Sequence, residues 1–184
     1  MNLMNTPSSQ EYLVITANGE DRVGLVEKFT NRILDAGCNI EASRMAVLGG
    51  QFAILILISG AWNALSKLED LLPGIGEQLG LSIAYNRTRE REIAKPMVPY
   101  HVEVVSMDHP GIVNKLSGFF AQRGINIEEL NTSTYPAAHT GTTMFSVQIT
   151  VGIPADTHIS TLRGDFLDYC DDLNLDATFE PSRI

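Results

Sequence analysis

Asp21-Arg22-Val23-Gly24-Leu25-Val26-Glu27-Lys28 and Asp108-His109-Pro110-Gly111-Ile112-Val113-Asn114-Lys115 are two versions of one pattern. Superposed at a shift of 87 residues, they share Asp, Gly, Val and Lys at the same places. The same shift carries Gly37, Asn39, Ile40 and Glu41 onto Gly124, Asn126, Ile127 and Glu128. Upstream, Ile15 and Ala17 meet Val102 and Val104, which match in character. Downstream the shift grows to 93, where Phe52 meets Phe145, and to 94, where Leu79 and Leu81 meet Leu173 and Leu175. A register held this long makes the chain two copies of one unit, the second with about six additional residues between its second and third strands. The copies span 10–87 and 98–184. Residues 88–97 between them read as a charged, Pro-punctuated, semi-rigid linker, with Pro96 inside it and Pro99 just beyond.

Each copy reads as strand, helix, strand, strand, helix, strand. Tyr12–Ala17 is short and β-rich, and Asn18-Gly19-Glu20 after it has turn chemistry. From Val23 to Ala36, Val26, Phe29 and Ile33 recur at spacings of three and four and predict one apolar helix face. Glu27, Lys28, Asn31, Arg32 and Asp35 fall on the other side, and Gly37 stops the helix. Ala42–Leu48, the turn Gly49-Gly50 and Gln51–Ser59 predict a hairpin. A helix from about Trp62 to Leu72 and a strand at Leu81–Arg87 complete the copy. The second copy predicts strands at Tyr100–Ser106, Leu130–Tyr135, Thr143–Val151 and Asp176–Glu180. Its helices fall at Ile112–Arg123, with Val113, Leu116 and Phe120 in a stripe, and at Asp156–Leu173.

With right-handed crossovers, a βαββαβ order gives an α+β unit: a four-stranded antiparallel sheet with two helices on one face. Phe52-Ala-Ile-Leu-Ile-Leu-Ile58 is apolar at every position instead of alternating, which predicts that the face away from the helices is covered as well. A second sheet or another subunit would do this, and a homodimer is one arrangement that fits.

Composition narrows the function. The 184 residues carry 13 Lys+Arg against 22 Asp+Glu, a formal charge of −9. That balance argues against direct binding of nucleic acid, which needs clustered cations. Residues 98–184 hold 11 of the acids and only 4 of the bases, so the second copy carries most of the field and could steer a basic protein partner. No apolar run is long enough to cross a bilayer, and Met1–Gln10 lacks the basic and apolar regions of a secretory signal. Cys38 and Cys170 form no metal-spaced cluster, and the four histidines are scattered. A cytoplasmic, reduced protein without metal or cofactor is the expectation. Phosphate-binding, zinc-protease and nucleophile-elbow motifs are absent from the sequence, so catalysis is not expected.

The repeated residues cluster at two loops. Asp21-x-x-Gly24 and Asp108-x-x-Gly111 lie where a helix begins. Exposed N–H groups there can hold a carboxylate, glycine lets a ligand approach the backbone, and the aspartate could accept an ammonium group. The alternative is that each aspartate caps its helix. Gly37-x-Asn39-Ile40-Glu41 and Gly124-x-Asn126-Ile127-Glu128 follow the helix and read as mainly structural, with Asn bonding its own turn and Ile entering the core.

These residues carry a resemblance. Asp-x-x-Gly-[Leu/Ile]-Val, the Gly-x-Asn-Ile-Glu turn and the βαββαβ order resemble ACT domains, amino-acid-sensing modules of ferredoxin-like fold. Two such domains with no catalytic domain, together with Ser59-Gly60-Ala61-Trp62-Asn63-Ala64, resemble the family of glycine cleavage system transcriptional repressors over residues 10–182. The resemblance implies a non-enzymatic regulator that contacts a DNA-binding transcription activator protein, with glycine or another small amino acid as effector. The alternative is an amino-acid-sensing regulatory subunit of a metabolic enzyme. It also implies ligand contacts at Asp21, Arg22, Val23, Gly24, Leu25, Asn39 and Ile40, and at Asp108, His109, Pro110, Gly111, Ile112, Asn126 and Ile127. Val23 stands where the family commonly has Pro, which the second copy keeps as Pro110. Acylphosphatases share the topology, but their Gly-rich loop followed by a catalytic Arg is missing here.

Overall fold

A computed structural model of the chain describes residues 10–89 and 96–182. The chain divides into two units, Met1–Arg91 and Glu92–Ile184. The first contains β1 (Glu11–Glu20), α1 (Leu25–Asp35), β2 (Asn39–Leu48), β3 (Gln51–Gly60), α2 (Trp62–Leu79) and β4 (Leu81–Thr88). The second contains β5 (Met97–Met107), α3 (Ile112–Gln122), β6 (Asn126–Pro136), β7 (Thr143–Pro154), α4 (Ile159–Asp172) and β8 (Asp176–Pro181). Thr88 and Met97, at the ends of the expected linker, belong to strands, and 90–95 lies outside the described residues.

Each unit is a four-stranded antiparallel sheet, ordered β2-β3-β1-β4 in the first and β6-β7-β5-β8 in the second. Every strand neighbour runs antiparallel, so the two βαβ-like crossovers place the first and last strands of each copy side by side. In the first unit, Leu13, Ile15 and Ala17 of β1 join Phe52, Ile54, Ile56 and Ile58 of β3 in one core. Leu25, Phe29 and Ile33 of α1 and Leu65, Leu68 and Leu72 of α2 close it from the helix side. The second core has the same plan but is aromatic at its centre. Phe166 lies 5.1–5.6 Å, centroid to centroid, from Phe119, Phe120 and Phe179.

The structure departs from the sequence reading in α1, α3, β1 and α2. Phe29 and Ile33 of the expected α1 stripe are buried, but Leu25, at a spacing of four from Phe29, completes it and Val26 is exposed. In α3, likewise, Ile112, Leu116, Phe119 and Phe120 are buried and Val113 is half-buried. Asn18-Gly19-Glu20 is strand, paired with Ala53, Phe52 and Gln51, and no turn forms there. Helix α2 passes through Pro73 and ends only at Gly80, in the left-handed region with φ 64°.

Strand β3 does alternate in burial. Phe52, Ile54, Ile56 and Ile58 face the helices, while Ala53, Leu55 and Leu57 share the opposite face with Val14, Ala42 and Ala46. Both helices of the unit pack on the other side, and Leu55 stays 47% exposed. The corresponding face of the second sheet is polar, with His101, Glu103, Asn131, Gln148, Thr150 and Glu180 in register.

Candidate functional site

The connection from β1 to α1 is a tight glycine turn. Asp21 N donates to Gly50 O at 3.0 Å, which fastens the turn to the Gly49-Gly50 hairpin. Gly24 takes φ 84° and occupies the N-cap position, and Lys28 N donates to Gly24 O at 3.0 Å. The second copy repeats this: Asp108 N donates to Thr143 O at 3.0 Å, Gly111 has φ 95°, and Lys115 N donates to Gly111 O at 3.0 Å. Neither helix has a side-chain cap. The alternative of aspartate caps is therefore overturned: Asp21 and Asp108 stand three residues before the N-cap glycine, and the first helical N–H groups receive no side-chain oxygen. A residue with a Cβ is disfavoured at this left-handed N-cap, which accounts for glycine in both copies.

The other expected site residues divide by position. Arg22 reaches across to donate a guanidinium N–H to Leu79 O at the end of α2, and Val23 is fully exposed. Leu25 and Ile112, each 2% exposed, point into their cores, so only their backbone can face a ligand. Pro110 and His109 are exposed, and His109 Nδ1 lies 3.2 Å from Pro110 O. Asn39 and Ile40 follow the far end of α1, which has 11 residues and is therefore roughly 16 Å long. Within one copy, the structure therefore separates Asp21–Leu25 from Asn39-Ile40, and likewise Asp108–Ile112 from Asn126-Ile127.

The second loop has its own geometry. A β-bulge falls between Ile40 and Ala42 and again between Ile127 and Glu129, so the shared Glu41 and Glu128 are the extra residues in their strands. The bulge lets Ile40 and Ile127 pack against the core while the strand resumes in register. Asn39 does not bond its own turn; Nδ2 donates to Glu41 Oε1 at 3.0 Å. Ser59 Oγ donates to the same carboxylate oxygen, and these two bonds, Ser59 first, hold Glu41 below the usual carboxylate range. In the second copy Gly152 takes the place of Ser59, and a Cβ on it would stand 2.6 Å from Glu128 Oε1. A cavity of about 520 Å³ opens beside Asn39, lined by Leu34, Gly37, Cys38, Ser59 and Gly60.

Sequence reasoning missed a second cavity of about 630 Å³, between the polar side of α1 and the end of α2. Of the expected site residues only Arg22 lines it. Lys28, Arg32 and Asp35 read from sequence as a solvated helix face, and nothing in the sequence pattern joins them to Gln78. Both cysteines are buried and free. Burial pushes the Cys170 thiol up to about 12, with the neighbouring Asp171 adding to the effect. Among the described residues no group of His, Cys, Asp or Glu is placed to hold a metal ion. No helix is long and apolar enough to cross a membrane among them either.

Two βαββαβ units, each with a left-handed glycine ahead of its first helix, define a tandem ACT-domain protein, and a family model for the ACT domain matches residues 11–86. The glycine cleavage system transcriptional repressor of Escherichia coli (strain K12) is 38% identical over 169 residues, covering 92% of this chain and 89% of the relative. The crystal structure of a candidate glycine cleavage system transcriptional repressor superposes with TM-score 0.72 at 30% identity, covering 96% of this chain and 100% of that one. An unknown protein of Galdieria sulphuraria superposes with TM-score 0.76 at 29% identity, covering 95% and 99%. The chain belongs to the glycine cleavage system transcriptional repressor family.

Proposed function

We propose that the protein is a non-enzymatic, cytoplasmic regulator of transcription that answers to a small amino acid, glycine first among the candidates. It acts by contact with a DNA-binding activator and does not bind DNA itself. The observation that carries this reading is similarity to a named repressor across both copies, at 38% identity over 92% of the chain. The duplicated turn supports the effector half. Leu25 N donates to Arg22 O at 3.3 Å, but the N–H groups of Val26 and Glu27 and those after Gly111 suit a carboxylate, and Asp21 and Asp108 stand nearby for an ammonium group. The charge supports the partner half: 11 acids against 4 bases in residues 98–184 favour a basic protein surface over a phosphate backbone.

Calorimetric titration with glycine should give a saturable heat that is lost when Gly24 and Gly111 are both replaced by Val in a variant whose circular dichroism is unchanged. Glycine should also alter co-purification with the DNA-binding activator of the glycine cleavage genes, since coupling between two ligands is reciprocal. Absence of both effects sinks the reading. Binding of glycine with capture of a metabolic enzyme in place of the activator would move the protein to the role of an enzyme's regulatory subunit.

A further inference from the structure

The groove between α1 and α2 concentrates positive charge in an acidic protein. Its lining includes Arg22, Lys28, Asn31, Arg32, Asp35 and Gln78, three cations and one carboxylate, in a chain with 22 acids and 13 Lys and Arg. None of the three cations is in an ion pair among the described residues. Arg22 donates to the Leu79 carbonyl, Arg32 Nη2 donates to the neutral Gln78 Oε1 at 2.7 Å, and Lys28 makes no side-chain bond there. Elsewhere in the same unit Arg87 is satisfied by carboxylates, with Glu11 and Glu69 each at 2.7 Å. A guanidinium carries five N–H donors, so Arg22 and Arg32 both retain donors for a further acceptor.

The second copy shows that the fold does not require this charge. There Lys115 matches Lys28, but Phe119 stands for Arg32, Gln122 for Asp35 and Asp172 for Gln78. The corresponding groove, about 560 Å³, is lined by Lys115 and Arg123 and by three carboxylates, Asp165, Asp168 and Asp172; Arg123 lies 3.9 Å from Asp165 and over the ring of Phe119, which packs in the aromatic core. The same architecture thus tolerates a groove with more carboxylates than cations, and Arg32 of the first copy has no cationic counterpart at the matching position.

We propose that the α1–α2 groove binds a small, multiply charged anion carrying two or more phosphate or carboxylate groups. The three cations give it charge and forked donors for oxyanions, and their spread from the turn ahead of α1 to the last turn of that helix suits several anionic groups at once. This goes beyond the glycine reading and does not rest on it, because a zwitterion with one carboxylate has no use for three cations.

The test is titration of the full chain with inorganic pyrophosphate and, separately, with citrate at constant ionic strength, followed by calorimetry and thermal shift. Saturable binding of at least one probe is expected, and the tighter of the two separates phosphate from carboxylate recognition. The double variant Lys28→Gln/Arg32→Gln should weaken it at least about tenfold, since each lost charge-assisted bond is of that order. Arg32→Phe, which installs the residue the second copy tolerates, should weaken it too, and Lys115→Gln should leave it unchanged. Glycine binding should be the same in all three. The proposal is overturned if neither probe saturates, or if the stabilisation tracks ionic strength alone. It is overturned equally if the Lys28 and Arg32 variants bind as tightly as wild type.

Discussion

Two glycine-to-alanine substitutions in the first unit should move stability in opposite directions. Gly19 lies in β1 opposite Leu81 of β4, and a Cβ there would stand 2.5 Å from Gly80 O and 3.0 Å from Leu81 Cδ2. The obstructing oxygen is backbone, fixed where α2 ends in the left-handed residue Gly80, so it cannot rotate away as a side chain would. Ordinary contact begins near 3.4 Å, so β1 and the end of α2 must part by almost an ångström, or the ladder must break. Overpacking of this kind costs about 1–3 kcal/mol, and alanine's advantage over glycine in a strand returns about 0.5–1 kcal/mol. The net expectation for Gly19→Ala is destabilisation centred near about 1 kcal/mol and reaching about 2.5 kcal/mol, or roughly 4–8 °C per kcal/mol in the melting of a unit this size. Gly74, inside α2, meets nothing within 4 Å. Gly74→Ala should therefore stabilise by about 0.5–1 kcal/mol. Urea titrations followed by circular dichroism measure both, and hydrogen exchange should show the Gly19→Ala loss in β1 and β4. A Gly19→Ala protein as stable as wild type would refute the close-approach argument, as would a shift of both variants in the same direction.

Two further outcomes follow from the buried thiol and the Arg87 cluster. With its pKa pushed to about 12, Cys170 should be about one part in ten thousand thiolate at pH 8. Labelling by a disulfide reagent in Cys38→Ser protein should then proceed only as fast as the second unit opens, and rapid labelling of the folded protein would contradict this. Arg87 bonds Glu69 through Nε and Nη2, both at 2.7 Å, and its hydrogen bond first of all holds the Glu69 carboxyl below the usual carboxylate range. A lowered folded pKa stabilises above the unfolded value and is lost as pH falls through the folded one. Arg87→Met should accordingly cost about 0.5–1 kcal/mol at pH 7 and progressively less below pH 4.5, as urea midpoints at pH 7 and 3.5 will show. An equal cost at both values would mean that the loss is packing and not the ion pair.

The repeat made the architecture legible because the residues it preserves do conformational work. Gly37 and Gly124 are left-handed, at φ 80° and 67°, and end the first helix of each copy. What stayed hidden is contact between distant segments. Asn18-Gly19-Glu20 has turn composition, yet glycine is there because the end of α2 comes too close for a side chain. Pro73-Gly74 reads as a helix stop, yet α2 continues because Leu72, Ile75 and Leu79 bury against the sheet. That burial offsets the one hydrogen bond that Pro73 cannot make. Gly76 belongs to the same contact, since a Cβ on it would meet Leu81 O at 2.8 Å. Periodicity placed Phe29 and Ile33 in the stripe of α1 and missed only its first member, since Leu25, spaced by four from Phe29 as Phe29 is from Ile33, is buried in place of Val26.

The candidate site was legible only where the two copies agree, and agreement is an ambiguous signal. Gly24 and Gly111 are shared because an N-cap at φ 84° and 95° needs glycine, whether or not a ligand sits on the turn. Glu41 and Glu128 are shared as the inserted residues of equivalent bulges, although only the first is answered by a serine hydroxyl at the matching place. Positions where the copies differ while the backbone stays the same are more informative about function. The fold is satisfied by Phe119 and Asp172 in one copy, so Arg32 and Gln78 in the other answer to something else. Such residues escape a sequence reading because the groove joins Arg22 and one face of α1 to a helix end some fifty residues away. The duplication supplies the control that a single domain would lack: each copy is a natural substitution series in the other's scaffold. An excess of cations in one groove, reversed to an excess of carboxylates in its twin, is therefore better evidence for a ligand than the glycine turn they hold in common.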